Sequence, residues 1–472
     1  MVGQVGLAWY LTPSDFGKIG TATLVAAFAG ILQQTGSRAI LIHRQAHFRR
    51  WASPVFGIAL ATSGVSAMAM LLSGLLIAHY KAEPVLAWMM GLLAVRGMFD
   101  AASSVPQAFL QSRMRFKALS IINLIYAFST ASMSVIFARF GWGPLSYAMS
   151  FTLGTILQCA LIWFISSLTI PTRLQLRRWR FLLGDSSWQL GAAAASTALS
   201  QGDYLAMSAL RSDAELGNYY YAYNLSTQTV QLIGTNFGQV LFPSLAQMQG
   251  DPIRQTRAFV KAAAMLAVIA MPFCFLQAIW ASPILSFLYH GRWDGAVRPL
   301  QVLSIGMAFL LMGAPSVNLF WAQGRFRAYF WWSICCAANF LLFAALGAAT
   351  GGATSVAISV TIFNVIFGPM GTWFAIRSNG GVADLVEIYI RPAISCMIAF
   401  GISVALSEFF IGHGATLTEA FAESLLAAAI YIVSAKLISR RTCDDLIVRI
   451  RQILKNGETE RLNSGSAPSS GT

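Results

Sequence analysis

Apolar runs long enough to cross a bilayer recur along the whole chain and are separated by short polar links. A bilayer core needs about 20 residues of apolar helix. A first fragment, Met1 to Leu11, is too short to span and reads as the last half of a helix. The other runs predict spans at 16–42, 54–79, 85–110, 118–139, 144–170, 184–208, 216–243, 259–289, 299–323, 328–349, 353–376, 392–411 and 415–438.

The chain repeats itself without a gap. The sequence Arg115-Phe116-Lys117-Ala118 recurs as Arg325-Phe326-Arg327-Ala328, at an offset of 210 residues. Gly141 falls on Gly351 at the same offset, and Phe16-Gly17 matches Leu216-Gly217 at an offset of 200. Each copy enters the membrane from the same side, which is typical of parallel repeats related by an axis along the membrane normal.

We therefore expect an all-α polytopic membrane protein of two parallel six-helix repeats (lobes) plus two extra helices, about 14 transmembrane helices with the first truncated. The predicted domains are a first lobe at 1–170, a cytoplasmic linker at 171–183, a second lobe at 184–378, two additional transmembrane helices at 379–438 and a cytoplasmic, partly disordered tail at 439–472.

Composition excludes an ordinary soluble domain, because 56% of the residues are hydrophobic and only 11% are charged. The net charge of +14 does not indicate nucleic-acid binding, since the basic residues concentrate in every second link. The positive-inside rule assigns the basic links, and both termini, to the cytoplasm. The links predicted outside hold Lys18, Lys81, Arg139, Arg211, Arg292 and Arg298. The six cysteines show no CxxC or metal spacing, so no metal and no cofactor are expected.

Ionisable residues at bilayer depth are expensive and predict function. Arg96 lies about half-way along its span with Asp100 at i+4, so they form either a cavity cation with its carboxylate partner or a self-neutralising pair. Arg38 lies near the cytoplasmic end of its span, either lining a cavity or reaching the interface. Asp203 and Asp100 are candidate coupling-ion residues, although a buried carboxylate is also satisfied by neighbouring hydrogen bonds.

Amide side chains form a polar stripe in the span 216–243, at helical spacing. A polar face inside the bilayer must turn toward protein or water, and amides both donate to and accept from sugar hydroxyls. This predicts a wet cavity; the alternative is hydrogen bonding between helices. The tyrosines at 219–221 and 223 are expected in an interfacial aromatic belt. The stripe consists of Asn224, Gln228, Gln231, Thr235 and Gln239.

Five segments together resemble the polysaccharide transporter family of oligosaccharide flippases, in the superfamily that also holds multidrug extruders and lipid II flippases. They are LTPSDFGKIG (11–20), QSRMRFKAL (111–119), the run 203–219, LFPSLAQMQGD (241–251) and GRWDGAVRPLQVLSI (291–305). The resemblance implies a two-lobed fold that flips polyprenyl-diphosphate-linked oligosaccharides across the bacterial inner membrane by alternating access. Arg96, Arg38, Asn224, Gln228, Gln231 and Thr235 would then meet substrate.

Two other function classes remain open at this stage. A cation-coupled multidrug extruder shares the fold, but would favour an acidic, aromatic cavity. A membrane glycosyltransferase or polymerase is disfavoured by the short outside links, and no Walker motif indicates nucleotide hydrolysis. Membrane lipid and a lipid-linked oligosaccharide are the expected partners, with H⁺ or Na⁺ as coupling ion. An association with polysaccharide polymerase and glycosyltransferases stays open.

Overall fold

A computed structural model describes residues 2–33, 48–168, 176–248, 250–410, 417–440, 442–445 and 448. Every regular element within these ranges is helical. The helices of the first part of the chain are α1 (Val2–Tyr10), α2 (Pro13–Gly30), α3 (Phe48–Lys81), α4 (Pro84–Ser112), α5 (Phe116–Arg139), α6 (Leu145–Ser166) and α7 (Leu176–Leu210).

The chain continues with α8 (Asp213–Thr229), α9 (Thr235–Ala246), α10 (Pro252–Tyr289), α11 (Asp294–Gly313), α12 (Ser316–Ala322), α13 (Phe326–Thr350) and α14 (Ala353–Ile376). The last helices are α15 (Val382–Leu385), α16 (Arg391–Phe410) and α17 (Leu417–Ile438). A 3₁₀ turn, Ile31–Gln33, extends α2, and π-helical turns occupy Val230–Gly234 and Val386–Ile390.

The all-α membrane fold predicted from the sequence is confirmed. Eleven helices of the described residues are long and apolar enough to cross a membrane. The helical segments Leu176–Leu210 and Asp213–Ala246 are not among these eleven, and both carry predicted site residues. The helix α7 begins inside the predicted linker, because its basic first turns are good helix formers and continue the helix beyond the apolar span.

Both copies of the repeated motif follow the same turn. The amide of Arg115 donates to the carbonyl of Leu110 at 3.0 Å, and that of Arg325 donates to Phe320 at 2.9 Å. The residue before each arginine has a positive φ, 54° at Met114 and 69° at Gly324. This is the Schellman pattern of a helix C-terminus. The repeat is therefore a repeat of backbone geometry as well as of sequence.

Contacts divide the chain into two units. The first unit comprises Met1–Leu225, Leu288–Pro299 and Phe330–Val360. Its apolar packing includes a cluster of Phe48, Ala52, Val55, Ile58, Val105 and Ala108, where α3 meets α4. This is a different partition from the predicted lobes, which stay a prediction.

The second unit comprises Ser226–Phe287, Leu300–Tyr329 and Thr361–Thr472. Its core forms around α10, where Phe259, Met271 and Cys274 are fully buried. Tyr431 on α17 donates to the carbonyl of Val268 at 2.7 Å, so a C-terminal helix packs directly on α10.

Large apolar side chains face outward along the long helices. Leu76 is 71% exposed, Leu124 70% and Phe128 74%. An apolar surface of this extent is unfavourable in water and favourable in lipid. Together with the eleven apolar helices, it makes the chain a multi-pass membrane protein.

Candidate functional site

Arg96 rests on the face of an aromatic ring inside the first unit. Its guanidinium carbon lies 5.3 Å from the centroid of the Phe151 ring on α6, and the side chain is half-buried. Such an interaction is worth about 0.5–2 kcal/mol. Asp100 lies one turn further along the unbroken helix α4 and is exposed. The ring orients the cation without covering it completely, so part of Arg96 stays available to an anion.

Aromatic side chains continue from this cation across the first unit. The rings of Phe151 and Tyr147 lie 4.4 Å apart. The side chain of Tyr147 lies beside that of Tyr220 on α8, and the ring of Tyr220 lies 5.3 Å from that of Tyr204 on α7. We call this set, Tyr147, Phe151, Tyr204 and Tyr220, the aromatic chain. It connects the surroundings of Arg96 to those of Asp203.

Asp203 is fully buried at the other end of the aromatic chain. The hydroxyl of Tyr219 donates to one carboxylate oxygen at 2.7 Å, and the amide of Tyr204 donates to the other at 2.9 Å. A buried carboxylate needs such donors to remain ionised, and it becomes neutral by taking up a proton when they are insufficient. Both oxygens of Asp203 are therefore satisfied within the first unit, as in the hydrogen-bonding alternative, and its role as a coupling-ion residue stays a prediction.

The prediction of a tyrosine belt at the membrane interface is wrong for three of its members. Tyr219, Tyr220 and Tyr221 are all buried. The hydroxyl groups find partners inside the protein: Tyr219 bonds Asp203, and Tyr221 shares a 2.6 Å hydrogen bond with Tyr289. A satisfied hydroxyl removes the cost of burying a tyrosine, and those partners are remote in sequence.

Asn224 is bound by a residue that the sequence pattern did not single out. Its amide nitrogen donates to the carbonyl of Tyr220 at 2.8 Å, and its amide oxygen accepts from Gln4 at 3.5 Å. Gln4 lies on α1, the helix formed by the first, short apolar fragment. The bond to Tyr220 lies within α8, whereas the bond from Gln4 joins two helices and supports the alternative of interhelical hydrogen bonding for this member of the stripe.

The rest of the stripe does not share one uniform helical face. The π-helical turn Val230–Gly234 contains Gln231 and shifts the register of all later residues. Gln228 is half-buried and Gln231 is exposed. Thr229, between them, donates to the Gln277 side chain of α10 at 2.9 Å. The prediction of one polar face assumes 3.6 residues per turn along the whole stripe. The spacing of the amide residues in the sequence does not reveal a π-helical turn.

The predicted site residues divide between the two units. Arg96, Asp100, Asp203 and Asn224 belong to the first, and Gln228, Gln231 and Thr235 to the second. Arg38 lies outside the described residues. The backbone of Thr235 begins α9, and its side chain lies outside the described part. Their roles in substrate or ion binding stay predictions.

Two helix starts cross at the glycines of the second repeat motif. A Cβ on Gly17 would overlap the carbonyl of Asp213, and a Cβ on Gly217 would overlap the carbonyl of Pro13. Pro13 and Asp213 are themselves 200 residues apart, as are the glycines. The contact is thus reciprocal, and only glycine permits the two backbones to approach so closely. The sequence repeat marks this crossing of α2 and α8.

Further contacts tie together links that were predicted to lie outside. Lys81 pairs with Asp213 at 2.7 Å, and Lys18 pairs with Glu83 at 2.9 Å. Lys81 and Asp213 come from different predicted lobes. Each pair is partly shielded, which strengthens it relative to a fully solvated ion pair.

The short helix α1 ends against the GRWD segment. The side chains of Trp293, Arg292 and Tyr289 donate to the carbonyls of Ala8, Trp9 and Val5 at 3.0, 2.8 and 3.2 Å. The carbonyls of Ala8 and Trp9 belong to the last turn of α1, where no later amide of the helix can reach them, so Trp293 and Arg292 cap this helix end. We call these bonds, with the glycine crossing and the Lys81–Asp213 pair, the closure cluster.

The matching family model is described as polysaccharide biosynthesis protein and covers residues 7–298. The chain belongs to this family. It is similar to the succinoglycan biosynthesis transport protein ExoT of Rhizobium meliloti, with 22% identity covering 92% of this chain and 88% of that protein. It is also similar to the teichuronic acid biosynthesis protein TuaB of Bacillus subtilis, with 23% identity and 86% of each chain covered.

Solved structures share the fold of this family member. The lipid II flippase MurJ in an inward closed conformation superposes with a TM-score of 0.72 at 13% identity, covering 94% of this chain and 97% of that one. A multidrug resistance transporter of the MATE family, inward-facing, gives 0.62 at 14% identity, covering 82% and 95%. The chain is therefore a multi-pass membrane protein of the polysaccharide biosynthesis family, with the fold of solved flippases and transporters.

Proposed function

We propose that this protein moves polyprenyl-diphosphate-linked oligosaccharide repeat units across the bacterial inner membrane by alternating access. The observation that carries the proposal is Arg96, a cation held inside the membrane region on the Phe151 ring. Arginine binds diphosphate oxygens with two donors at once. A head group with charges and hydroxyls cannot cross hydrocarbon unaided, and the exposed amide of Gln231 suits its sugars.

The closure cluster supports the directional part of the proposal. It joins helix ends of the first unit that the charge pattern assigns to the outside, through Lys81–Asp213 and the bonds of Trp293 and Arg292 to α1. These contacts support a state in which the first unit is closed toward the outside. Export then requires these contacts to break, with loading from the cytoplasmic side.

A cation-coupled multidrug extruder is the second candidate, favoured by one observation. Asp203 is buried among Tyr204, Tyr219 and the neighbouring aromatic rings. An acid within aromatic walls is suited to an organic cation. In the primary proposal, the same acid binds the coupling H⁺ or Na⁺.

Variants of Arg96 and Asp100 test whether Arg96 binds substrate. In cells that make the polymer, Arg96→Ala should abolish export and cause lipid-linked repeat units to accumulate, at unchanged protein abundance. Arg96→Lys should retain part of the export, because charge survives without the two-pronged geometry. Arg96→Ala/Asp100→Ala should stay inactive if Arg96 binds substrate. Restored export in the double variant would mean that Arg96 only neutralises the charge of Asp100 and does not bind substrate.

A further inference from the structure

Two neighbouring cavities in the second unit share one lysine. The first is an apolar groove of about 340 Å³ between α9 and the start of α10. The second is a charged pocket of about 250 Å³ between α10, the segment before α16 and the first residues of the tail. Lys261 lines both. The charge pattern assigns this end of α10 to the cytoplasmic side.

The groove is suited to hydrocarbon. Its walls are Phe237, Val240, Leu241, Leu245, Met248 and two alanines of α10. The hydroxyl of Ser244, which also lines it, donates to the carbonyl of Val240 at 2.8 Å and so presents no free donor. Val240 is 70% exposed, so the groove is open along its side. A chain from the bilayer can therefore enter it laterally.

The pocket supplies two cations at the end of the groove. Arg257 and Lys261 are four residues apart on α10 and lie on one helical face. Within the described residues, Arg257 forms no ion pair, whereas Lys261 pairs with Asp445 of the tail at 2.5 Å. Both partners are about half exposed, at 46% and 49%. An exposed pair of this kind contributes little and is readily exchanged.

The other two carboxylates of the pocket accept hydrogen bonds from neighbouring groups. Asp384 accepts from the amide of Gly381 at 2.8 Å and caps α15. Glu387 accepts from the hydroxyl of Thr442 at 2.8 Å, which holds the tail against the second unit. Asp445 is therefore the carboxylate that occupies Lys261. A diphosphate carries more charge and more acceptor oxygens than a carboxylate, so it competes for the same cations.

We propose that Lys261 and Arg257 anchor the diphosphate of a polyprenyl-linked lipid whose first isoprene units lie in the apolar groove, and that Asp445 holds this anchor until the lipid displaces it. The inference rests on the proposed function and adds a cytoplasmic docking site with a built-in competitor. The two cations at the mouth of the groove match the diphosphate, and the apolar groove matches the prenyl chain attached to it.

Photo-crosslinking tests this anchor on the full-length protein in phosphatidylcholine nanodiscs. The probe is undecaprenyl diphosphate carrying a diazirine near the diphosphate. The labelling yield is measured as the probe concentration is increased, which gives the binding affinity. We expect label on residues 237–262. Lys261→Gln should weaken binding roughly tenfold, as for the loss of one charge-assisted hydrogen bond. Asp445→Asn should strengthen binding several-fold, and Arg327→Gln, an exposed control, should leave it unchanged.

The outcomes separate the anchor from the flippase itself. Unchanged binding in Lys261→Gln, weaker binding in Asp445→Asn, or label outside 237–262 would overturn the anchor. Equal labelling by a diazirine phosphatidic acid would make it a general phospholipid site and overturn the stated occupant. If the anchor fails while export still depends on Arg96, the proposed function stands. If the wild type exports no lipid-linked oligosaccharide, the proposed function fails whatever Lys261 binds.

Discussion

At the scale of single residues, the sequence located the unusual groups but not their partners. Arg96 and Asp203 stand out because ionisable residues are rare at bilayer depth. The ring under Arg96 comes from Phe151, and the donors to Asp203 include Tyr219, which lies on another helix. Those partners are brought close by tertiary packing, which hydropathy and spacing do not report. The tyrosine belt was wrong for the same reason.

Asp203 and Tyr219 offer a matched pair of variants. Tyr219→Phe removes the 2.7 Å hydrogen bond and leaves the carboxylate, at an expected cost of roughly 1–3 kcal/mol in stability. Asp203→Asn removes the ionisable group. If Asp203 binds the coupling ion, only Asp203→Asn should abolish ion-driven export while substrate exchange without a gradient continues. Equal loss of both activities in the two variants would assign Asp203 a purely structural role.

At the scale of elements, the apolar runs predicted the eleven described helices that are long and apolar enough to cross a membrane, because lipid imposes length and composition on each helix. Two departures have local causes. The π-helical turn Val230–Gly234 interrupts the amide stripe, and the first fragment contains the helix Val2–Tyr10, whose end is capped by Trp293 and Arg292. Neither feature appears in the hydrophobic periodicity of the sequence, because a π turn changes the period locally and the capping residues lie far along the chain.

The crossing of α2 and α8 predicts a specific cost for alanine. Gly17→Ala and Gly217→Ala would each force the two backbones apart, so we expect losses of about 1–3 kcal/mol or more. Gly64→Ala is the control, because nothing lies within 4 Å of a Cβ there and the site is inside a helix. Gly64→Ala should be neutral or slightly stabilising. Thermal unfolding in detergent measures all three, and equal melting temperatures would contradict the crossing.

At the scale of the whole molecule, the alternation of basic links predicted a topology, and the repeat predicted two lobes. The contact-defined units divide the chain differently, because they group residues that are close in space even when these are far apart in the sequence. The family match covers residues 7–298 and indicates polysaccharide biosynthesis, but it specifies neither the sugar nor a coupling ion. Arg38, which was expected to contribute, lies outside the described residues.

Cysteine accessibility in intact cells tests the topology. A cysteine introduced at Arg139 or Trp142 should react with a membrane-impermeant maleimide, because the link between α5 and α6 is predicted outside. A cysteine at Arg327, at Asn379 or within 456–472 should react only after the cells are opened. The six native cysteines are first replaced by alanine or serine. Labelling at Asn379 or in the tail of intact cells would reverse the assigned orientation.

The most direct measurement of the central claim is flipping by the purified protein. Proteoliposomes would carry an undecaprenyl-diphosphate-linked oligosaccharide, and an impermeant glycosidase outside would report how fast inner-leaflet molecules become accessible. Wild-type protein should speed this access well beyond that of empty liposomes; Arg96→Lys should retain part of the rate, and Arg96→Ala should match empty liposomes. A wild-type rate equal to that of empty liposomes with a proton or sodium gradient in either direction would contradict the account.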